Sequence, residues 1–248
     1  MPTPLSAGGK GMRILIVDDD AFTRKIVRRV LTDLRLTDVG EAESGEAALA
    51  LLEREAFDLI ITDVQMPGIN GLELVRRIRA GFSGAAHDTR AIVLTSFSNT
   101  EVIGAAMALD VNGFLVKPMK PAAVQEKITQ AMGEHTSVRP TIGYQSVNTD
   151  LRTVDAPQPH AQSAPTVAEG VRTGIANDAR AAGRQVPLRQ LQPGMRLTQH
   201  VLTIDGTLLL SLGHTLSQLN INRLWDVRSI LREEALWIVD EKAEPAAH

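Results

Sequence analysis

Short apolar runs alternate with amphipathic segments along the first half of the chain. The strongest runs are RILIV, LIIT, AIVL and GFLV, at positions 13–17, 59–62, 91–94 and 113–116, and a weaker run lies near 38–43. Each strong run is apolar throughout and does not alternate with polar residues. Such strands are typical of a sheet that is buried on both faces, which is a parallel sheet.

Helical periodicity fills the intervals between these strands. In the first interval, Phe22, Ile26, Val30 and Leu34 fall four residues apart and form one apolar stripe. The same kind of pattern predicts four more helices, at 46–54, 72–79, 100–109 and 121–132. Because strand and helix alternate five times, we predict a doubly wound α/β domain over residues 11–133.

The apolar pattern is absent from two other parts of the chain. Residues 1–10 are predicted to be a flexible tail. Residues 134–185 are rich in Pro, Gln, Ala, Ser and Thr. A segment of this composition buries too little apolar surface to offset the entropy lost on ordering, so we predict a flexible linker there.

Apolar pattern resumes in a second module, predicted over 186–242. Asp205-Gly206 separates two apolar runs, 201–204 and 207–210, which predicts a hairpin with a type I′ turn. Ser217 is the expected N-cap of a short helix, and a closing strand follows it. The module is therefore expected to be small and β-rich.

Composition excludes several classes of protein. The net charge of −3, from 26 basic and 29 acidic residues, does not favour binding to nucleic acid. No apolar run approaches the ~18 residues of a membrane span. The chain has no cysteine, and its N-terminus lacks the apolar core of a signal peptide. We therefore expect a cytoplasmic protein without a membrane span that does not bind DNA.

Polar side chains follow every strong strand of the predicted sheet. Asp18 and Asp19 follow the first, Asp63 the second, Thr95 the third and Lys117 the fourth. The carboxyl ends of parallel strands share one edge of the sheet, where ligands bind. Clustered carboxylates repel one another, and Mg²⁺ relieves that repulsion and prefers oxygen ligands.

The lysine and hydroxyl in this set suggest that an anion joins the metal, and a phosphoryl group is the natural candidate. A carboxylate can act as the nucleophile and form an aspartyl phosphate. Asp63 is the better candidate, because it stands alone before a Pro-Gly turn, whereas the adjacent Asp18 and Asp19 suit a metal. Asp20 is interpreted as the N-cap of the first helix.

The motifs IVDDD, DVQMPGINGLEL, VLTSFS and GFLVKP, in this order, resemble the receiver domain of bacterial two-component response regulators, the CheY-like family. The resemblance implies a flavodoxin-like five-stranded sheet in the order 2-1-3-4-5. It also implies that Asp63 accepts a phosphoryl group from a histidine kinase or phosphotransfer protein. Lys117 and Thr95 would then hold the phosphoryl oxygens, and the Lys117-Pro118 bond would be cis.

The same resemblance implies a ligand set for Mg²⁺ and a switch. Asp19 and Asp63 would ligate the ion directly, Asp18 largely through water, and Gln65 through its backbone carbonyl. Phe114 stands where the family often has an aromatic residue that reorients on phosphorylation, so Phe114 and Thr95 are the expected switch residues.

In the C-terminal module, the segments LQPGMRL and TIDGTLLLSLGHTLSQLNINRL resemble a small β-rich module that is often attached to HD-GYP phosphodiesterases and to other bacterial regulators. The HD-GYP catalytic domain itself is absent from this chain. We therefore expect a response regulator that acts through a conformational or dimerisation change. Its partners would be a second receiver copy or a downstream protein, and its chemistry would be confined to its own phosphorylation and dephosphorylation.

Two other functions stay open at this stage. One is a scaffold that acts without phosphorylation. The other is a metal-dependent phosphohydrolase with an aspartyl-phosphate intermediate. This second function is disfavoured because Gln65 stands where such an enzyme needs a second aspartate, and because no cap domain for substrate is present.

Overall fold

The computed structural model describes residues 11–96, 100–133, 138–151 and 183–240. The predicted N-terminal tail therefore lies outside the described residues, as do most of the predicted linker and the last two residues of the predicted module. Within the described part, no helix has both the length and the apolar character that a membrane crossing requires.

The chain divides into two compact units. The first contains residues 11–96 and 108–151, and the second contains residues 100–107 and 183–240. In chain order the elements are β1 Ile14–Val17, α1 Ala21–Asp33, β2 Val39–Ala42, α2 Gly45–Leu52, β3 Leu59–Asp63, α3 Gly71–Arg79, β4 Arg90–Thr95, α4 Thr100–Ala108, β5 Gly113–Val116, α5 Pro121–Gly133, β6 Arg184–Pro187, β7 Met195–Leu197, β8 Val201–Leu202, β9 Leu208–Leu210, α6 Gln218–Asp226 and β10 Ala235–Asp240. Short 3-10 helices span Thr141–Tyr144, Leu188–Gln190 and Arg228–Ile230.

The first unit is built on a five-stranded parallel sheet in the order β2-β1-β3-β4-β5, which confirms the predicted fold. Both faces of the sheet are covered. On β1, Ile14 and Ile16 join an apolar cluster with α1 and α5, whereas Leu15 and Val17 join a cluster with α2 and α3. All four side chains have no solvent exposure, which explains why the strand is apolar without alternation.

Arg79, at the end of α3, is a charged side chain without solvent exposure. Its guanidinium donates hydrogen bonds to the backbone carbonyls of His87 and Thr89, each at 2.7 Å. It also donates to the carbonyls of Leu109 at 3.1 Å and Asp110 at 3.3 Å. Arg79 therefore links the end of α3 to the loop before β4 and to the loop before β5.

Residues 138–151 pack against the rest of the first unit, although the sequence predicts a linker there. The ring of Tyr144 is completely buried, and its hydroxyl donates a hydrogen bond to Asp110 Oδ2 at 2.8 Å. The guanidinium of Arg139 lies 4.8 Å from the centre of that ring and pairs with Asp110 at 3.3 Å. We call residues 138–151 the strap. This segment lacks apolar periodicity. One buried aromatic residue and several polar contacts hold it in place.

The C-terminal module contains a three-stranded antiparallel sheet in the order β6-β10-β7 and a separate β8-β9 hairpin. The hairpin forms as predicted, but its turn is not type I′. Only Gly206 has a positive φ, at 93°, and Asp205 does not. The Thr203 hydroxyl instead accepts a hydrogen bond from the Thr207 amide at 2.9 Å. Ser217 caps α6 as predicted.

Candidate functional site

Three carboxylates meet at the carboxyl-terminal edge of the parallel sheet. Asp18 and Asp19 follow β1, and Asp63 is the last residue of the adjacent β3. One oxygen from each of the three lies within 4.8 Å of the others. Asp18 and Asp63 are buried and Asp19 is exposed, so the cluster is open to solvent on one side.

Lys117 joins this cluster from the end of β5. Its Nζ lies 3.0 Å from Asp18 Oδ2 and 2.9 Å from Asp63 Oδ2. Burial alone would lower the pKa of Lys117, but the hydrogen bonds that its ammonium group donates to Asp63 and Asp18 outweigh this effect and raise that pKa. The amine therefore stays charged at neutral pH, and it bridges the two buried carboxylates.

The carboxyl group of Asp63 has an altered acidity. Burial raises its pKa above the ordinary value, the hydrogen bond and charge of Lys117 counteract this, and the neighbouring Asp18 raises it further. A hydrogen bond from the backbone amide of Gln65 acts in the lowering direction. Asp63 is thus a partly desolvated carboxylate beside a cation, which suits a nucleophile held for reaction.

The donor set fits a hard divalent cation. With all side chains ionised, three carboxylates and one ammonium group carry a formal charge of −2. Carboxylate oxygens are the ligands that Mg²⁺ takes, usually one or two of them together with water and a phosphate oxygen. Asp18, Asp19 and Asp63 could therefore hold Mg²⁺, with the exposed Asp19 on the side open to solvent.

The remaining predicted residues lie on β4, on β5 and in the loop after β3. Thr95 is buried at the end of β4, and its carbonyl accepts a hydrogen bond from the Lys117 amide at 2.9 Å. Phe114 is buried in β5, opposite Val93 of β4. Gln65 is exposed in the loop after Asp63, and the ligand role of its carbonyl stays a prediction.

Two other expectations can be compared with the structure. Asp20 is the N-cap of α1, since its carboxylate accepts hydrogen bonds from the amides of Phe22 at 2.9 Å and Thr23 at 3.2 Å. It is therefore a capping residue, as the sequence predicts. The Lys117-Pro118 peptide bond is cis.

Sequence reasoning missed the residues that hold the loop between Asp63 and α3. Glu46, on α2, accepts a hydrogen bond from the Ile69 amide at 2.9 Å. Asn70 caps α3 by accepting from the Glu73 amide at 2.9 Å. The only signal for Asn70 was its position before an apolar periodic segment, and no local signal connects Glu46 with Ile69.

Comparison with known proteins places this site in a family. The family model of the response regulator receiver domain matches residues 14–129. The chemotaxis protein CheY-3 of Vibrio cholerae is 39% identical over 119 residues, which are 48% of this chain and 90% of that protein. The chemotaxis protein CheY of Pseudomonas aeruginosa is 39% identical over 117 residues, which are 47% of this chain and 93% of that protein.

A solved structure of CheY4 from Vibrio cholerae is also similar. It is 30% identical, has a TM-score of 0.45, and the match covers 49% of this chain and 99% of that chain. The three carboxylates and Lys117 all lie within the residues that the family model matches, whereas the C-terminal module lies outside them. From its sequence relatives and its family model, the chain belongs to the response regulator receiver family.

Proposed function

We propose that this protein is a response regulator that accepts a phosphoryl group on Asp63 from a histidine kinase or a phosphotransfer protein. The observation that carries this proposal is the contact of Lys117 Nζ with both buried carboxylates, beside a third carboxylate that faces solvent. Membership of the receiver family supports the same assignment.

The reaction uses groups that lie at this edge of the sheet. A carboxylate oxygen of Asp63 attacks the phosphorus of the donor and forms a new O–P bond. The bond between phosphorus and the donor breaks, and the donor leaves with that electron pair. Lys117 supplies positive charge beside the transferred oxygens, and the Thr95 hydroxyl donates a hydrogen bond to one of them.

A bound Mg²⁺ would supply further positive charge to neutralise the phosphoryl oxygens. Asp18, Asp19 and Asp63 would hold it, because their oxygens lie together and their summed charge requires a cation. The buried Asp18 and Asp63 keep their orientation through the ion pairs with Lys117. Water reaches the site beside Asp19, which is exposed.

The output follows from a change of conformation rather than from turnover of a substrate. Phosphorylation of Asp63 would draw Thr95 and Phe114 toward the new phosphoryl group and alter a surface that pairs with a second receiver or a downstream protein. Residues 183–240 contain six basic and five acidic residues, which supports protein binding over DNA binding. The chemistry is confined to gain and loss of the phosphoryl group on Asp63.

Phosphorylation by a small donor tests this proposal. The full chain is incubated with Mg²⁺ and acetyl phosphate, and the mass increase of one phosphoryl group is measured. We expect Asp63→Asn to abolish the increase and a chelator to prevent it. Lys117→Ala should slow it by about 100-fold, because electrostatic groups at a reacting centre contribute on this order.

Asp88→Asn is the matched control, because Asp88 is an exposed aspartate away from the sheet edge. It should be labelled like the wild type. Labelling of Asp63→Asn to the wild-type level would contradict the assignment of the phosphoacceptor. A wild-type chain that takes no label would contradict the proposed function itself.

A further inference from the structure

The strap makes a second set of contacts, at the start of α3. The hydroxyl of Thr149 donates a hydrogen bond to Glu73 Oε2 at 2.7 Å. The backbone carbonyl of Thr149 accepts one from Asn70 Nδ2 at 2.8 Å. Asn70 and Glu73 are also the two residues that form the N-cap of α3. The strap therefore binds both partners of that cap.

Glu73 is the centre of a charged network at this position. Its carboxylate accepts hydrogen bonds from Arg76 Nε at 2.7 Å and from Arg77 Nε at 2.8 Å, in addition to Thr149. Burial alone would raise the pKa of Glu73, but these three donors together lower it to about 2. The Thr149 hydroxyl thus donates to a carboxylate that stays ionised over the physiological range.

The first residue of α3 lies directly against the backbone of Asp63. A methyl carbon placed on Gly71 would lie 1.9 Å from the carbonyl oxygen of Asp63. The Gly71 amide also donates a hydrogen bond to the Val64 carbonyl at 3.2 Å. With so little space between them, a displacement of the start of α3 toward β3 must displace the end of β3.

These contacts form a continuous path from the strap to the phosphoacceptor. Thr149 contacts Asn70 and Glu73, these residues fix the start of α3, and Gly71 contacts Asp63. On the other side of the same loop, Glu46 binds the Ile69 amide. The loop is thus held from α2 on one side and from the strap on the other.

We propose that Thr149 is a positioning residue for Asp63, so that docking of the strap and phosphorylation of Asp63 favour each other. This inference rests on the proposed function of Asp63. Coupling between two sites is reciprocal for binding free energies: if docking of the strap stabilises the occupied state of the Asp63 site, occupation of that site must strengthen docking of the strap.

The first test is the rate of phosphorylation in the full chain. Thr149→Val keeps the shape of the side chain but removes the hydroxyl donor, and Thr149→Ser keeps the donor. With Mg²⁺ and acetyl phosphate, we expect Thr149→Val to react roughly three- to tenfold more slowly, the range that corresponds to the net contribution of one typical intramolecular hydrogen bond. Thr149→Ser should restore the rate.

Thr141→Val is the matched control, because Thr141 is an exposed threonine of the same strap. It should react like the wild type. A wild-type rate for Thr149→Val would overturn the proposal. A slow rate that Thr149→Ser does not restore would also overturn it, because the hydroxyl would then not be the group that acts.

The second test measures the reciprocal effect on the strap. The chain has a single tyrosine, so ring-¹³C-tyrosine labelling gives NMR signals from Tyr144 alone. Addition of Mg²⁺ and beryllofluoride should shift these signals in the wild type but not in Asp63→Asn. If beryllofluoride perturbs backbone amides next to Asp63 while Tyr144 does not respond, the proposed function stands and this inference is overturned.

Amide hydrogen exchange separates the two proposals further, because it needs no phosphoryl donor. Thr149→Val should increase exchange over residues 64–73 at least threefold relative to Thr141→Val. If the wild type takes no phosphoryl group, the proposed function fails, and the exchange result still shows whether the strap holds the loop. Unchanged exchange would remove the path on which the inference depends.

Discussion

Replacement of Gly71 by alanine should damage both the stability of the first unit and the reaction of Asp63. A methyl group at this position would lie 1.9 Å from the Asp63 carbonyl oxygen, 2.8 Å from its carbonyl carbon and 2.9 Å from the Thr62 hydroxyl. Two of these three neighbours are backbone atoms, so a side-chain rotation cannot relieve the overlap. Either α3 or the end of β3 must move by about 1 Å.

Two opposing effects determine how much Gly71→Ala changes the free energy of unfolding. Alanine is favoured over glycine within a helix by about 1 kcal/mol, and by less at the first position. Overpacking in a closely packed region typically costs about 1–3 kcal/mol, and a clash with backbone lies at the upper end of that range. We therefore expect the free energy of unfolding to fall by about 2 kcal/mol in Gly71→Ala.

Misplacement of the nucleophile should have a larger effect on the reaction than on stability. A shift of about 1 Å at a reacting group can reduce a rate by about 100-fold. We expect phosphorylation of Gly71→Ala by acetyl phosphate to be slower by about 10- to 100-fold. The rate is measured with Mg²⁺ and without urea, at a temperature below the midpoint of thermal unfolding, so that loss of folded protein does not contribute.

Urea unfolding followed by far-ultraviolet circular dichroism measures the stability. Both tryptophans, Trp225 and Trp237, lie in the C-terminal module, so tryptophan fluorescence follows that module alone and should be unchanged. Gly133→Ala is the matched control, because Gly133 is the last residue of α5 and nothing lies within 4 Å of an added methyl group. The reasoning is refuted if Gly71→Ala is as stable as Gly133→Ala and reacts at the wild-type rate.

Three further changes test other contacts. Arg79→Met should lower the free energy of unfolding by about 3 kcal/mol in urea titrations, because it leaves buried carbonyl groups without donors. Glu73→Gln should cost about 1 kcal/mol at neutral pH after allowance for solvent screening. The pKa of Glu73 is lowered from 4.5 to about 2 in the folded protein, so its carboxylate stabilises the fold fully above pH 4.5. The cost of Glu73→Gln should therefore shrink as pH falls from 4.5 toward 2. Ser217→Ala, which removes half of a capping box with Asn220, should destabilise the C-terminal module by about 1 kcal/mol, measured by tryptophan fluorescence.

The parallel sheet could be predicted because burial on both faces leaves a strong local signal. The apolar run at 113–116 matches β5 in full, and the other strong runs match their strands to within one residue at each end. The meeting of Asp18, Asp63 and Lys117 followed from the sheet, because the ends of parallel strands share one edge.

Other features leave no local signal. Tyr144 is bound by Asp110, which is 34 residues earlier in the chain, and Thr149 by Glu73, which is 76 residues earlier. A single buried aromatic residue such as Tyr144 produces no repeating apolar pattern. An analysis based on periodicity therefore predicts a linker at residues 138–151. The difference between the buried Asp18 and the exposed Asp19 likewise depends on three-dimensional packing.

The contacts of the strap determine where a fragment of the N-terminal half should end. A fragment that ends at residue 133, where helical periodicity stops, would lack Tyr144 and leave the carboxylate of Asp110 without the phenol that it binds. A fragment that ends at Leu151 would retain both anchors of the segment. The longer fragment is the better starting material for isolated study of this half, because the shorter one lacks the contacts of Thr149 with Asn70 and Glu73.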